Sequence, residues 1–211
     1  MLMLAVDTSC HVASAALLRD GVCVLERFAD PAQKHAVTLL PLVESVLGEA
    51  ETAIGDVDLF AVDIGPGSFT GVRIGVSAVN AMAFACGKSV VPVDALRALY
   101  EPFADTGTHV CALIDAGNGN AYAAQYRANE TLAAPDAIVI RDYLVTLPKD
   151  ARIIGDVEEA GEKAYPSAKY VALAAARMAD MAVTDAKPMY LRPSQAERLW
   201  RQRQEAKQGG R

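Results

Sequence analysis

Two stretches of the chain share one design, and this duplication limits the folds that the sequence can adopt. Leu4–Leu17 and Ala112–Gln125 each read as an apolar strand ending in aspartate, a small polar turn and an alanine-rich returning strand. In register, Asp7 matches Asp115, and the stretches share four identities in fourteen positions. Because a repeat indicates a duplicated supersecondary unit, we expect two similar α/β subdomains, residues 1–97 and 98–211, the second reduced.

Hydrophobic periodicity predicts the order strand, strand, strand, helix, strand, helix, strand, helix in the first half. The expected strands are Leu2–Val6, Val12–Leu18, Val22–Ala29, Leu59–Ile64 and Val90–Val93. The expected helices run from Ala36 to Leu47, from about Gly71 to Cys86, and from the N-cap Asp94 to about Tyr100. In the second half we expect short strands near Ile138 and Ile153, a helix over Tyr170–Val183, and connections at Ala128–Pro135 and around Gly155.

Charge and cysteine content narrow the class of protein. The net charge of −6 makes the body a poor general binder of polyanions, whereas the segment from Arg192 onward carries six Lys or Arg against two Glu. We read that basic segment as a solvated terminal helix. Four widely spaced cysteines without a C-x-x-C pair argue against a zinc site and a disulfide scaffold. With neither a signal peptide nor a membrane-length apolar run, the expectation is a cytoplasmic protein without a membrane partner.

The segment Asp63–Gly75, D-I-G-P-G-S-F-T-G-V-R-I-G, concentrates four glycines between a strand and a helix. It lacks the lysine of the Walker A motif, and its G-x-G-x-x-x-G spacing differs from the dinucleotide fingerprint. A glycine loop before a helix nevertheless presents backbone N–H groups to anions, and Arg73 would add positive charge. The residues alone leave two interpretations open: an anion-binding loop, or a turn that only starts the helix.

The helix after this loop, Val72–Ala85, is apolar on nearly every side. A surface helix normally has a polar face, so this one is either a core helix or a contact for another chain. We take the stripe Val72, Val76, Val79 and Ala83 as a candidate partner surface, together with the helix Lys34–Leu47.

Several motifs together resemble the TsaB family, bacterial proteins needed for the threonylcarbamoyladenosine modification of tRNA. They are G-P-G-S-F-T-G-V-R-I-G, the N-terminal L-A-V-D-T-S, the helix K-H-A-V-T-L-L-P-L-V, I-D-A-G-N-G-N-A-Y and P-M-Y-L-R. The resemblance implies an α/β fold of the actin-like and sugar-kinase-like ATPases (ASKHA). It implies a non-catalytic subunit that binds TsaD, the catalytic paralogue, and with it TsaE, and that meets tRNA through this complex. ATP and a metal would serve those partners, with neither bound by this chain alone, and the isolated chain would form a homodimer.

The resemblance also assigns residues. A vestigial nucleotide or phosphate site between the hairpins would comprise Asp7, Ser9, Gly65, Gly67, Ser68, Gly71, Arg73 and Asp115. The partner surface would comprise His35, Leu39, Val72, Val76, Val79 and Ala83. Catalytic residues and metal ligands are not expected, because TsaD carries H-x-x-x-H on its first helix, whereas here His35 is followed four residues later by Leu39.

Two other functions compete with this expectation. A small ATP-dependent kinase or ATPase of the same fold would bind nucleotide and depend on Asp7 and Asp115. A peptidase would need metal ligands or a base beside its serine, and Ser68 does not lie in a G-x-S-x-G elbow. The sequence also departs from the family at A-G-N-G-N after Asp115, where many relatives carry charged residues, and in its basic tail, which we expect to dock through Trp200 on the body.

Overall fold

The computed structural model describes residues 1–192, and the predicted basic terminal helix lies outside these residues. The first sheet has five strands in the spatial order β3-β2-β1-β4-β5. Its strands are β1 (Leu2–Asp7), β2 (Ser14–Arg19), β3 (Val22–Phe28), β4 (Leu59–Asp63) and β5 (Val90–Val93). The first three form an antiparallel meander, while β1, β4 and β5 run parallel, so the two crossovers between them need helices.

A second sheet repeats this arrangement. Its strands are β6 (Val110–Gly117), β7 (Asn120–Arg127), β8 (Glu130–Val139), β9 (Arg152–Gly155) and β10 (Glu162–Lys163). They lie in the order β10-β9-β6-β7-β8, so each strand corresponds to one of the first sheet, with the same parallel and antiparallel pairings. The predicted fold class, an α/β fold with two duplicated halves of which the second is reduced, is confirmed. The reduction is visible in β10, which has two residues.

The described residues form five α-helices, and three of them cover the two faces of the first sheet. The helices are α1 (His35–Glu49), α2 (Phe69–Cys86), α3 (Ala95–Tyr100), α4 (Ile140–Leu144) and α5 (Ala168–Arg177). The helices α1 and α2 bury their apolar sides on one face, around Val46, Phe60 and Val79. The helix α5, from the second half of the sequence, covers the opposite face through Val171 and its alanines. Parallel strands buried on both faces explain the nearly continuous apolar sequence of β1 and β4.

Two secondary-structure predictions differ from the structure. Residues 130–135, expected in a connection, belong to β8, which pairs with β7 along an irregular register. The helix expected over Tyr170–Val183 is α5 followed by a short 3₁₀ turn at Ala179–Met181. The division at residue 97 stays a prediction, although α5 packs on the first sheet rather than on the second.

The helix α2 is long and apolar enough to cross a membrane by length and composition alone. In the structure it is the crossover helix between β4 and β5, and its buried side chains pack on the first sheet. Its apolar character therefore has a core-packing cause.

Candidate functional site

Two fully buried carboxyl groups lie at the carboxyl ends of the parallel strands β1 and β4. Asp7 accepts a hydrogen bond from the amide of Ser9 at 2.7 Å, and Asp63 accepts one from the amide of Gly65 at 2.6 Å. Among residues 1–192, Oδ2 of Asp63 has no hydrogen-bond partner, and neither has Oγ of Ser9. Burial raises the pKa of Asp7, and burial together with the charge of Asp7 raises the pKa of Asp63 well above its usual range.

The glycine loop packs directly against the turn between β1 and β2. A Cβ atom on Gly67 would overlap the carbonyl of Ser9, and one on Gly71 would overlap the carbonyl of Thr8. The hydroxyl of Thr8 donates to the carbonyl of Gly71 at 2.8 Å, and the amide of Ser68 donates to the carbonyl of Ser9 at 2.7 Å. The glycines thus allow the start of α2 to approach the first hairpin closely.

Ser68 begins the helix α2. Its Oγ accepts a hydrogen bond from the amide of Gly71 at 3.1 Å, which is the geometry of a helix N-cap. Nε2 of His35 bonds the carbonyl of Cys10 at 2.8 Å, so the imidazole is not paired with Ser68. Burial raises the pKa of the Cys10 thiol to about 12, which leaves it a poor nucleophile. These contacts do not provide the activated nucleophile that a peptidase needs.

A cleft of about 360 Å³ separates the two aspartate-tipped hairpins. Four of the eight residues predicted for a phosphate site line it, namely Ser9, Gly67, Ser68 and Asp115. Asp7 is buried behind Ser9, to which it is hydrogen-bonded. The duplication therefore brings the two hairpins to the same cleft, as the sequence predicted.

Three other residues predicted for this site, Gly65, Gly71 and Arg73, are not among the residues that line the cleft. The guanidinium of Arg73 stacks over Phe69 at 4.0 Å, and its Nε donates to the hydroxyl of Tyr190 at 2.7 Å. Gly65 faces the backbone of Met189 instead. The sequence places Arg73 in the first turn of α2, but the helical phase directs it away from the hairpins.

Asp156 is a cleft residue that the sequence analysis missed. Its Oδ1 accepts from the amide of Asp115 at 2.6 Å, and burial raises the pKa of its carboxyl group. Asp156 follows β9, the strand that corresponds to β4, just as Asp63 ends β4. Extending the repeat from Asp7 and Asp115 to the next parallel strand would have found it.

The charge of the cleft is negative. Asp115 and Asp156 line it, and none of its lining residues within the described chain is Lys or Arg. Residues 1–192 also hold no group of three or more His, Cys, Asp or Glu side chains placed to bind a metal ion. A polyphosphate would therefore meet carboxylates without a compensating cation from these side chains.

The residues predicted for the partner surface lie mostly inside the protein. Leu39, Val72, Val76, Val79 and Ala83 are all buried in the core between the sheet and the helices α1 and α2. His35 is half-buried beside Cys10. The structure corrects this part of the prediction: the small-residue stripe packs on the chain's own sheet, so a folded partner cannot contact it.

The outer side of the same two helices carries exposed apolar side chains, which we call the helical face. On α1 these are Val37 and Leu40, and on α2 the most prominent is Phe84, which is 87% exposed. Both helices pack on the same face of the first sheet and contact each other. Val37 and Leu40 lie near the start of α1, and Phe84 lies near the end of α2. Exposed large apolar side chains of this kind are found at protein-contact surfaces.

Comparison with known proteins identifies the family. Residues 29–192 match the family model described as TsaD: tRNA N6-adenosine threonylcarbamoyltransferase. The tRNA threonylcarbamoyladenosine biosynthesis protein TsaB of Bacillus subtilis is 33% identical over 72% of this chain and 68% of its own length. The TsaB protein of Escherichia coli is 34% identical over 62% of this chain and 57% of its own length. The alignments thus span roughly three fifths to two thirds of these relatives.

A solved structure matches over nearly its whole length. It is a Pseudomonas aeruginosa protein described as uncharacterized with similarity to the peptidase YeaZ, with a TM-score of 0.77 and 31% identity. The match covers 90% of this chain and 99% of that one.

Proposed function

The chain belongs to the TsaD family of tRNA N6-adenosine threonylcarbamoyltransferases, in its TsaB branch, and on this premise we propose that it acts in threonylcarbamoyladenosine biosynthesis as a non-catalytic subunit. In this proposal it binds TsaD, and with it TsaE, while the threonylcarbamoyl group is transferred to the adenosine next to the anticodon of tRNA. The chain meets tRNA through the complex and works in the cytoplasm, in line with its four free cysteines.

The helical face is the observation that carries this proposal. Val37, Leu40 and Phe84 expose apolar surface on the layer that covers the first sheet. Burying such side chains against a partner is favourable at roughly 25 cal/mol per Å². Because duplicated relatives of one fold make similar faces, the same surface of TsaD is a suitable partner, and so is a second copy of this chain in isolation.

The cleft supports a non-catalytic role. Its carboxylates Asp115 and Asp156 face the space where the resemblance places metal and phosphate in active relatives. The amide of Ser68 already donates to the hairpin carbonyl of Ser9 rather than to an anion. An ATP-dependent reaction on this chain would need positive charge that its described side chains do not bring to the cleft.

The second candidate is a small ATP-dependent kinase or ATPase, which the cleft itself favours by its position between the two hairpins. It makes a different prediction. The isolated chain would bind ATP with a divalent cation, and Asp7→Asn or Asp115→Asn would abolish that binding.

Calorimetry separates the two candidates. The purified chain is titrated with its cognate TsaD and, in parallel, with ATP and magnesium. We expect TsaD to bind and ATP to give no saturable heat. Binding of ATP without binding of TsaD would overturn the proposal and establish the kinase.

Matched variants locate the contact. Leu40→Glu and Phe84→Glu place a charge on the helical face, and we expect each to weaken TsaD binding at least tenfold, since large apolar anchors dominate interfaces. Val145→Glu is the control, because Val145 is 84% exposed at the end of α4, outside the helical face. Unchanged binding by both helical-face variants would remove this surface from the proposal. Sedimentation of the same variants tests the homodimer.

A further inference from the structure

A second cavity, of about 480 Å³, lies at the opposite end of the second sheet from the cleft. Tyr126 lines it and pairs with Val110 at the start of β6, whereas the cleft residue Asp115 lies near the end of β6. The walls come from α3, β7, β8 and the end of α5. Asp94, Arg97, Met178 and Met181 are among its lining residues.

Asp94 is the carboxylate of this cavity without a cationic partner. Its Oδ1 accepts from the amide of Arg97 at 2.8 Å and from the hydroxyl of Tyr126 at 3.3 Å. Within residues 1–192 it forms no ion pair, because the guanidiniums of Arg97 and Arg177 both bind Glu101, at 3.3 and 2.7 Å. Burial raises the pKa of Asp94, and the nearby charge of Arg97 offsets this shift only in part.

Arg97 is the buried donor of this cavity. Its side chain is 10% exposed and packs over the rings of Tyr100 and Tyr126, at 4.9 and 5.9 Å from their centroids. One terminal nitrogen donates to Glu101 and to Oδ1 of Asn129, at 3.0 Å for the latter. Its Nε has no hydrogen-bond partner among the described residues. That Nε is shielded from the cavity, whereas the other terminal nitrogen makes no hydrogen bond within these residues and is the donor left for a ligand oxygen.

The remaining surface of the cavity is apolar and of limited size. The flexible side chains of Met178 and Met181 and the rigid ring of Pro135 form apolar parts of its wall. The cavity volume lies in the range of small-molecule sites. The three carboxylates in and beside the cavity (Asp94, Glu101 and Asp105) outnumber the two guanidiniums of Arg97 and Arg177. The net charge there is negative, so a polyanion such as a nucleotide would be repelled.

We propose that this cavity binds a free α-amino acid. The ammonium group donates to Asp94, the carboxylate accepts from Arg97, and the side chain packs against Met178 and Met181. This set gives Asp94 a cationic partner and uses the terminal nitrogen of Arg97 that makes no hydrogen bond to Glu101 or Asn129. It is independent of any contact with TsaD, because the helical face lies on other elements.

The test is calorimetry and ligand-observed NMR of the full chain with the twenty L-amino acids. Each ligand that binds is compared with its methyl ester, which has no carboxylate, and its N-acetyl derivative, which has no ammonium. We expect saturable binding of at least one amino acid and at least tenfold weaker binding of both derivatives, since each loses a charge-assisted hydrogen bond.

Asp94→Asn is the matched variant, because asparagine is as good an N-cap as aspartate and removes only the charge. We expect it to keep the melting temperature within a few degrees and to bind the amino acid at least tenfold more weakly. Asp150→Asn, at an exposed site, serves as the control. No binding by the wild type up to millimolar ligand overturns the proposal, as does equal binding by Asp94→Asn or by the derivatives.

Discussion

The buried carboxyl group of Asp63 makes the stability of the protein depend on pH in a defined direction. Asp63 is fully buried beside Asp7, and both burial and the charge of Asp7 favour its protonated form. Asp63→Asn replaces that form with a neutral side chain of the same shape. The amide oxygen of asparagine can still accept from the amide of Gly65, as Oδ1 of Asp63 does at 2.6 Å.

The magnitude follows from proton linkage. A carboxyl group with a raised native pKa binds a proton in the folded chain over a pH range in which the unfolded chain has lost it. Its stabilising contribution is complete below the unfolded pKa of about 4 and is lost as the pH rises through the native pKa. Over that window the wild type loses about 1.4 kcal/mol of unfolding free energy per pH unit. Asp63→Asn is free of this loss.

Urea denaturation at pH 5, 6, 7 and 8, followed by far-ultraviolet circular dichroism, measures the effect. We expect the unfolding free energy of Asp63→Asn minus that of the wild type to grow with pH. The exposed control Asp150→Asn should give a nearly constant difference. A difference for Asp63→Asn that is the same at all four pH values would refute the assignment of a proton to this group.

The packing leads to three further predictions. Val79 is fully buried, so Val79→Glu should lower the free energy of unfolding by more than about 3 kcal/mol and lower the melting temperature with it. Phe84→Glu on the exposed side of the same helix should leave the melting temperature nearly unchanged, and similar melting temperatures for the two variants would contradict the assignment of the helix faces. Gly71→Ala should lower the free energy of unfolding, measured by urea titration, by about 1–3 kcal/mol, because the added methyl group overlaps the carbonyl of Thr8. Gly48→Ala is the control, because nothing lies within 4 Å of the added methyl group. It should be neutral or stabilise the protein by up to about 1 kcal/mol. Glu101→Gln removes the carboxylate that Arg97 and Arg177 share, and it should lower the free energy of unfolding by about 3–5 kcal/mol. A decrease of less than about 1 kcal/mol in the same titrations would mean that these ion pairs are not formed in solution.

Much of the fold was predictable because the first half follows local rules. The apolar run Leu59–Ile64 predicted the strand β4, and the N-cap Asp94 predicted the start of α3. The first part of β8, residues 130–135, was missed because Asn129 and Pro135 suggest a loop, whereas pairing with β7 outweighs those preferences. A non-local contact of this kind leaves no local pattern in the sequence.

The candidate site was predictable in its position and less so in its members. The repeat brought the hairpins of Asp7 and Asp115 to one cleft, but it did not show that Asp63 is buried beside Asp7 or that Arg73 stacks on Phe69. Likewise, the stripe Val72 to Ala83 looks the same whether it faces a partner or its own sheet. Only the packing of α2 on the first sheet decides between those alternatives.

The glycine loop connects these observations. Its glycines let the start of α2 contact the backbone of Thr8 and Ser9, and the amide of Ser68 is used in that contact. An anion that used this amide would have to compete with the hairpin carbonyl, at a cleft already lined by carboxylates. The same close packing fixes α2 on the sheet, with Phe84 directed outward. A loop that resembles a phosphate cradle therefore serves, on these contacts, to position the helix that we propose binds the partner.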